Sequence, residues 1–170
     1  MKAANKRNFV STLIGALLCS ASLGANAYQF PSGPPDWSIP FEAGMVCQYA
    51  VTWEGWAGRI NTREYTDADG NQNLALTGKG HAFRFTNSQN GKTTTQMSQG
   101  VQQHIVVYPD GSSKITTTGA LLLGMLPTDI PAGPTTVYYN GNTVLTITAE
   151  GVGTLEKAVG HKRDFCAELS

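Results

Sequence analysis

Apolar and polar residues alternate on both sides of a single turn within the segment 101–123. Pro109 presets φ for the first central turn position, and Gly111 can take the left-handed conformation of a G1 bulge. Such a turn would place Ile105 opposite Ile115. Val107 and Ile115 then share one face, whereas His104, Lys114 and Thr116 share the other, on which His104 should be exposed. The turn residues and the apolar pattern therefore predict the same β-hairpin.

Asx-Gly pairs recur along the chain at Asp69-Gly70, Asn90-Gly91, Asp110-Gly111 and Asn140-Gly141. Each pair lies between β-rich segments, which is the strongest short-range signal for a hairpin. For 67–71, whose aspartates resemble a calcium loop, the spacing does not match an EF-hand and a plain hairpin turn is predicted. Simple hairpin order favours an all-β, antiparallel up-and-down barrel of about eight to ten strands, with a β-sandwich as the alternative.

Four further segments complete the predicted architecture. Segment 28–44 holds four of the eight prolines and is predicted to be an extended lead that packs Trp37 and Phe41 on the domain. Segment 45–54 alternates and should be the first strand, whereas 153–166 should be the last. Segment 120–126 is apolar without alternation, which predicts a strand covered on both faces.

The N-terminal segment 1–27 has the pattern of a secretory signal peptide. Lys2, Lys6 and Arg7 precede an apolar stretch at 9–23, and small residues end at Ala27, where cleavage is expected. The mature chain would then consist of the lead 28–44 and one β-barrel domain, 45–170. We therefore expect the protein outside the cytoplasm, in the extracellular or cell-envelope space.

Two cysteines, Cys47 and Cys166, remain after removal of the leader. An even pair in an exported protein predicts one disulfide, which would join the first strand to the last. Free thiols are the competing interpretation. Two cysteines without a CxxC pair do not form a zinc pattern, and the three histidines lack metal-ligand spacing, so no metal is predicted.

Charge and motifs narrow the possible functions. Without its leader the chain has nine basic and 12 acidic residues, a net charge of −3, which disfavours a nucleic-acid partner. No segment after the leader is long and apolar enough to predict an integral membrane span. Neither a G-x-S-x-G elbow nor a phosphate-binding glycine loop occurs, and we predict no catalytic residue and no cofactor.

Aromatic residues on the inner faces of the predicted strands suggest a cavity for a small apolar ligand. A filled core is the simpler interpretation of the same pattern. Either Tyr49 or Tyr138 would be the polar partner of His81 if the cavity were catalytic. The candidate lining residues are Tyr49, Trp53, His81, Phe83 and Tyr138.

From Phe83 onward the chain resembles a group of small exported actinobacterial proteins. The resemblance depends on 85–87 with Gly91-Lys92, on 109–111, on the proline-rich loop 127–134 and on the closing 164–166. These are mostly turn and loop residues, so the resemblance implies a shared fold and carries no activity.

Three functions stay open at this point. The sequence favours a non-catalytic binding or interaction protein, whose contact surfaces would include the loops at Gly55-Trp56 and Ile130-Pro131. The alternatives are a small enzyme or ligand carrier that uses the aromatic cavity with His81, and a structural surface component.

Overall fold

The computed structural model describes residues 29–170 of the 170-residue chain, so the predicted signal peptide and its cleavage site lie outside the described residues. The described part is all-β, apart from one short C-terminal helix. Its elements are β1 (Trp37–Phe41), β2 (Val51–Trp56), β3 (Arg59–Thr66), β4 (Gln72–Lys79), β5 (Ala82–Asn87), β6 (Thr93–Gln96), β7 (Gly100–Val107), β8 (Ser113–Met125), β9 (Thr135–Ile147), β10 (Gly153–Asp164) and α1 (Phe165–Leu169).

The strands form two antiparallel sheets, with the orders β1-β2-β5-β6 and β10-β9-β8-β7-β4-β3. Consecutive strands pass from one sheet to the other at three neighbouring points, near Gly58, Gly80 and Gln99. These crossings are in contact, because the Gly80 N–H donates to the Gln99 carbonyl oxygen at 2.8 Å. A Cβ on Gly58 would lie 2.0 Å from the Lys79 carbonyl oxygen, so only glycine allows this approach. The three connections between the sheets, β2–β3, β4–β5 and β6–β7, therefore lie side by side at one corner of the molecule.

Hairpin order along the chain is retained, since β3–β4, β5–β6, β7–β8, β8–β9 and β9–β10 all pair antiparallel. The predicted closed barrel is not formed within residues 29–170. The four-stranded sheet ends at β1 and β6, and the six-stranded sheet ends at β3 and β10. The predicted alternative, a β-sandwich, fits this arrangement of two separate antiparallel sheets.

The hairpin predicted from segment 101–123 is confirmed. The Tyr108 N–H donates to Ser112 at 2.9 Å and the Gly111 N–H donates to Tyr108 at 3.0 Å, with Gly111 at φ 88°. Ile105 pairs with Ile115 as expected, and His104 is exposed. Two equivalent hydrogen bonds close the turn at 67–71: the Asp67 N–H donates to Asn71 and the Gly70 N–H donates to Asp67. That segment is therefore a hairpin turn, as predicted.

The turn predicted at Asn140-Gly141 is wrong. β9 continues through both residues, and its hairpin with β10 turns instead at 148–152, around Gly151 at φ 88°. Gly141 pairs with Gly119 on one side and with Gly160 on the other. A Cβ on Gly141 would lie 2.0 Å from the Val159 carbonyl oxygen, so this glycine permits close backbone approach within a bent sheet.

The six-stranded sheet folds back on itself at this row of glycines. Met125 and Ser113 are the ends of β8, which would span about 40 Å if the strand were straight. Yet Leu123 and Met125 share one small cavity with Ile147, which pairs with Ser113. The backbone closes the same gap, because the Ile130 N–H donates to Gly153 at the start of β10.

Segment 120–126 is confirmed as a strand covered on both faces up to Met125, where β8 ends. Ala120 and Leu122 pack on a core cluster against the four-stranded sheet. Leu121 and Leu123 belong to a second cluster, which forms inside the fold of the six-stranded sheet. Burial on both faces explains why this segment is apolar without alternation.

Both ends of the domain differ in part from expectation. Trp37 and Phe41 lie on edge strand β1 and pack as predicted, with Phe41 4.8 Å from the ring of Trp53. The first domain strand was predicted to start at residue 45, but β2 starts at Val51, after a turn that contains the buried Cys47. The last strand ends at Asp164, which caps the N-terminus of α1 through its carboxylate.

The predicted disulfide is present, and it joins Cys47 to Cys166 in α1 with the two Cα atoms 5.6 Å apart. It therefore connects the turn before β2 to the C-terminal helix, and not strand to strand. α1 has five residues, and no helix in the described part of the chain has the length and hydropathy for crossing a bilayer.

Candidate functional site

One wall of the candidate site is an aromatic row on β5 and the residue just before it. His81, Phe83 and Phe85 alternate along the chain and therefore point to one side of the four-stranded sheet. Their ring centroids are 5.9 Å apart at each step, and both pairs are stacked. Trp37 lies 6.1 Å from His81 and 6.0 Å from Phe83. The register places it on the same side of the sheet, over Gly55, so β1 extends this wall.

The floor comes from the six-stranded sheet at the corner where the chain changes sheets. Ile60, Leu76, Val101 and Gln103 line it, and the register of β3, β4 and β7 places all four on the same face. The Gln103 amide donates to the Thr117 hydroxyl at 3.0 Å, which fixes its orientation. Sequence reasoning missed these residues, because alternation predicts faces but not which distant strands pair.

The third wall comes from β8 and β9, which are covered on both faces. Ala120, Leu122 and Tyr138 contribute to it, and Tyr138 is only 3% exposed. Burial raises the pKa of Tyr138 to about 12, against a smaller opposing effect of Arg163. The Tyr138 hydroxyl therefore stays neutral at physiological pH and can donate a hydrogen bond.

Together the three walls form a cleft of about 270 Å³ that is open to solvent. Its lining is mostly aliphatic and aromatic, and it includes three side chains that carry a polar group, His81, Gln103 and Tyr138. An apolar cleft with a few convergent polar groups is the usual form of a small-molecule site. We call this space the interlayer cleft.

The structure brings together three of the five predicted cavity residues, His81, Phe83 and Tyr138. The other two lie outside the cleft, partly buried against the first core cluster. The Tyr49 hydroxyl donates to the Cys166 carbonyl oxygen at 2.5 Å and so holds the C-terminal helix. Trp53 is packed between Phe41 and Phe85, whose ring lies 5.7 Å away. Of the two tyrosines considered as partners of His81, only Tyr138 shares the cleft with it.

The two predicted contact loops also differ from each other. Gly55-Trp56 is not an exposed loop, because both residues belong to β2 and Trp56 is 7% exposed. Its indole donates to the Gly33 carbonyl oxygen at 2.9 Å. Ile130 is exposed as expected, at 59%, on a loop fixed by hydrogen bonds to β10.

The charged pairs near the site have structural roles. Glu54 accepts two hydrogen bonds from the Arg84 guanidinium, at 2.6 and 2.8 Å, and this contact lowers the pKa of Glu54. Arg163 binds the Glu168 carboxylate at 2.7 and 3.0 Å and also the carbonyl oxygen of Thr95. Among residues 29–170 no group of three His, Cys, Asp or Glu side chains comes together in a way that could hold a metal.

Comparison of this chain with protein-family models, curated proteins and solved structures finds no match. The residues of the cleft therefore carry the functional argument alone.

Proposed function

We propose that this protein is a non-catalytic binding protein that holds a small, mostly apolar ligand in the interlayer cleft. The observation that carries the proposal is the cleft itself, about 270 Å³ of space that His81, Phe83 and Tyr138 share with an aliphatic floor. The volume of the cleft is just below the usual range of ligand pockets, so it suits a compact organic molecule.

The polar groups of the cleft define the ligand further. Tyr138 stays neutral and therefore adds no charge to the cleft. The Gln103 amide is already engaged with Thr117. No Lys or Arg side chain lines the cleft within the described residues, so an uncharged ligand fits better than an anion.

The proposal includes export of the chain from the cytoplasm. The Cys47–Cys166 disulfide supports it, because such bonds persist in oxidising compartments. An exported carrier of apolar small molecules would meet its ligand outside the cell or in the cell envelope.

The test is a fluorescence titration with N-phenyl-1-naphthylamine, a neutral apolar dye whose emission rises in apolar surroundings. Wild type is expected to bind it saturably. Leu76→Trp should weaken binding about tenfold or more, since the larger ring occupies the cleft floor. Thr77→Trp is the matched control, because Thr77 is the next residue of β4 and faces the opposite side of the sheet.

If Leu76→Trp bound the dye with wild-type affinity, the dye would bind outside the cleft, which would overturn the proposal. An absence of saturable binding to folded wild type would do the same.

A further inference from the structure

A second, larger groove lies on the same face of the same three strands as the cleft floor. It has a volume of about 560 Å³ and is lined at β4 and β7 by Leu74, Ile105 and Val107. Leu74 pairs with Ile105, and the neighbouring pair along these strands on that face, Leu76 with Gln103, belongs to the interlayer cleft. Side chains two residues apart on one face are about 7 Å apart, so the two spaces follow one another directly. We call the second space the outer groove.

The apolar part of this face is long and narrow. It extends along β7 from Val101 to Val107, which is about 20 Å in strand geometry. Its open apolar side chains come from the two strands β4 and β7. β3 borders it with polar side chains, Thr62, Glu64 and Thr66, and on the other side Ile115 of β8 packs into the second core cluster. Two strands correspond to about 10 Å, a width that suits a single aliphatic chain better than a flat polycyclic molecule or a protein surface.

Other parts of the described chain cover the apolar side chains on this floor only in part. Leu74, Leu76 and Ile105 are only partly buried, and Val107 is 37% exposed. β8, β9 and β10 continue past the glycine row and fold back, so that the two halves of these strands pack on each other. β3, β4 and β7 end at the corner and have no such second half. The topology therefore leaves one half of the sheet face open, from the cleft to the far end of the outer groove.

Charge distinguishes the two ends of this face. Thr66 and Gln72 line the far end of the outer groove beside Val107, and Glu64 lies one pair nearer the cleft, in the row of Leu74 and Ile105. Glu64 has no ion-pair partner among residues 29–170. The cleft end is aromatic, with Phe83 and Tyr138. A chain with its apolar tip in the cleft would thus place its head group beyond Ile105, within about 7 Å of the Glu64 row, and this carboxylate favours a neutral or cationic head over an anionic one.

We infer that the ligand is a single-chain amphiphile whose aliphatic tail extends from the interlayer cleft along the outer groove, with a neutral or cationic head near Glu64. This inference rests on the proposed function, because it extends the same binding site. It implies that affinity rises with chain length up to about 20 Å and that part of the affinity depends on β7 residues outside the cleft.

The experiment measures displacement of N-phenyl-1-naphthylamine by hexanol and by tetradecanol, which is long enough to reach the outer groove. In wild type, tetradecanol is expected to compete at least tenfold better than hexanol. Val107→Glu should remove this advantage by placing a carboxylate against the tail, with hexanol unchanged. Val106→Glu is the matched control on the opposite face of β7, and it should behave as wild type.

A second variant and a head-group comparison complete the design. Val107→Ser should reduce the tetradecanol advantage less strongly but in the same direction, and partial exposure of Val107 makes both variants compatible with folding. Tetradecylamine should compete at least as well as tetradecanol, and tetradecanoate less well. Glu64→Gln should reduce the difference between amine and carboxylate.

The outcomes separate the two proposals. Equal competition by hexanol and tetradecanol in wild type, or an unchanged advantage in folded Val107→Glu, would overturn the extended chain and leave the cleft proposal intact. Stronger competition by the carboxylate than by the amine would overturn the assigned direction of the chain. A failure of every alcohol and of the dye to bind would overturn the proposed function itself.

Discussion

Replacing Gly119 with alanine tests the folded-back sheet on which the cleft depends. Gly119 lies in the glycine row of the six-stranded sheet at φ 96°, a conformation that residues with a Cβ rarely adopt. An added Cβ would lie 2.2 Å from the Gly100 carbonyl oxygen and 3.1 Å from its carbon. Both neighbours are backbone atoms, so the clash can be relieved only by moving strand β7 or unbending β8.

The expected loss of stability has two parts. A non-glycine residue held at positive φ costs about 1–3 kcal/mol. Overpacking against backbone costs about 1–3 kcal/mol more. Gly119→Ala should therefore lower the free energy of unfolding by about 2–6 kcal/mol, a large part of the stability of a typical domain. Weaker bending at this row would also disturb the cleft, because Ala120 and Leu122 follow directly on β8.

Gly100→Ala is a matched control for this substitution. Gly100 begins β7 beside the same row, but its φ is not positive and a Cβ there would meet no atom within 4 Å. Its substitution should change stability by no more than about 1 kcal/mol, in the stabilising direction. Urea unfolding followed by tryptophan fluorescence measures both variants. Equal midpoints for the two variants would refute the proposed role of the glycine row.

Three further predictions concern the rest of the molecule. Reduction of the Cys47–Cys166 disulfide, whose cysteines are 119 residues apart, should lower stability by up to about 5 kcal/mol in chemical denaturation. Because the pKa of Tyr138 is raised, the free energy of unfolding of wild type should fall by about 2–3 kcal/mol relative to that of Tyr138→Phe as pH rises from about 10 to about 12. Urea unfolding at each pH measures this difference. Because Arg84 lowers the pKa of Glu54, the free energy of unfolding of wild type should exceed that of Glu54→Gln by less than about 1 kcal/mol at neutral pH. This margin should disappear as pH falls through the lowered pKa of Glu54.

Each of these predictions has a contrary result. An unchanged denaturation midpoint after complete reduction would contradict the first. A constant difference between wild type and Tyr138→Phe across the alkaline range would show that this hydroxyl is not buried. For the acid range, a margin that grows on acidification would reverse the sign required by a lowered folded-state pKa.

Local chemistry made much of the fold predictable. The hairpin at 108–112 follows from residues that are adjacent in sequence, and its register was correct to the residue. The apolar segment 120–126 also carried enough information, because loss of alternation indicates coverage on both faces. The disulfide followed from the parity of cysteines in a chain expected to be exported.

The errors arise where the same local signal has two structural outcomes. Asn140-Gly141 has the composition of a hairpin turn, but Gly141 is required by its cross-strand neighbours and lies inside β9. The helix α1 has only five residues, too few for a periodic pattern, and its cap Asp164 was the one local signal of it. Strand β2 begins only at Val51 because the disulfide turn occupies the preceding residues.

The candidate site was predictable only in part. Alternation on β5 placed His81 and Phe83 on one face, and these residues do line the cleft. The floor is formed by pairing of β4 with β7, a contact between strands separated by a whole hairpin in the other sheet. Such pairing depends on the corner at Gly58 and Gly80, whose effect is long-range and has no local pattern in the sequence.

The most direct test of the account is an NMR measurement of intermolecular NOEs between N-phenyl-1-naphthylamine and the methyl groups of the protein. We expect contacts from the bound dye to Leu76, Val101 and Leu122 in the interlayer cleft. Contacts confined to exposed methyl groups such as those of Ile39, Ile130 or Val159 would contradict it.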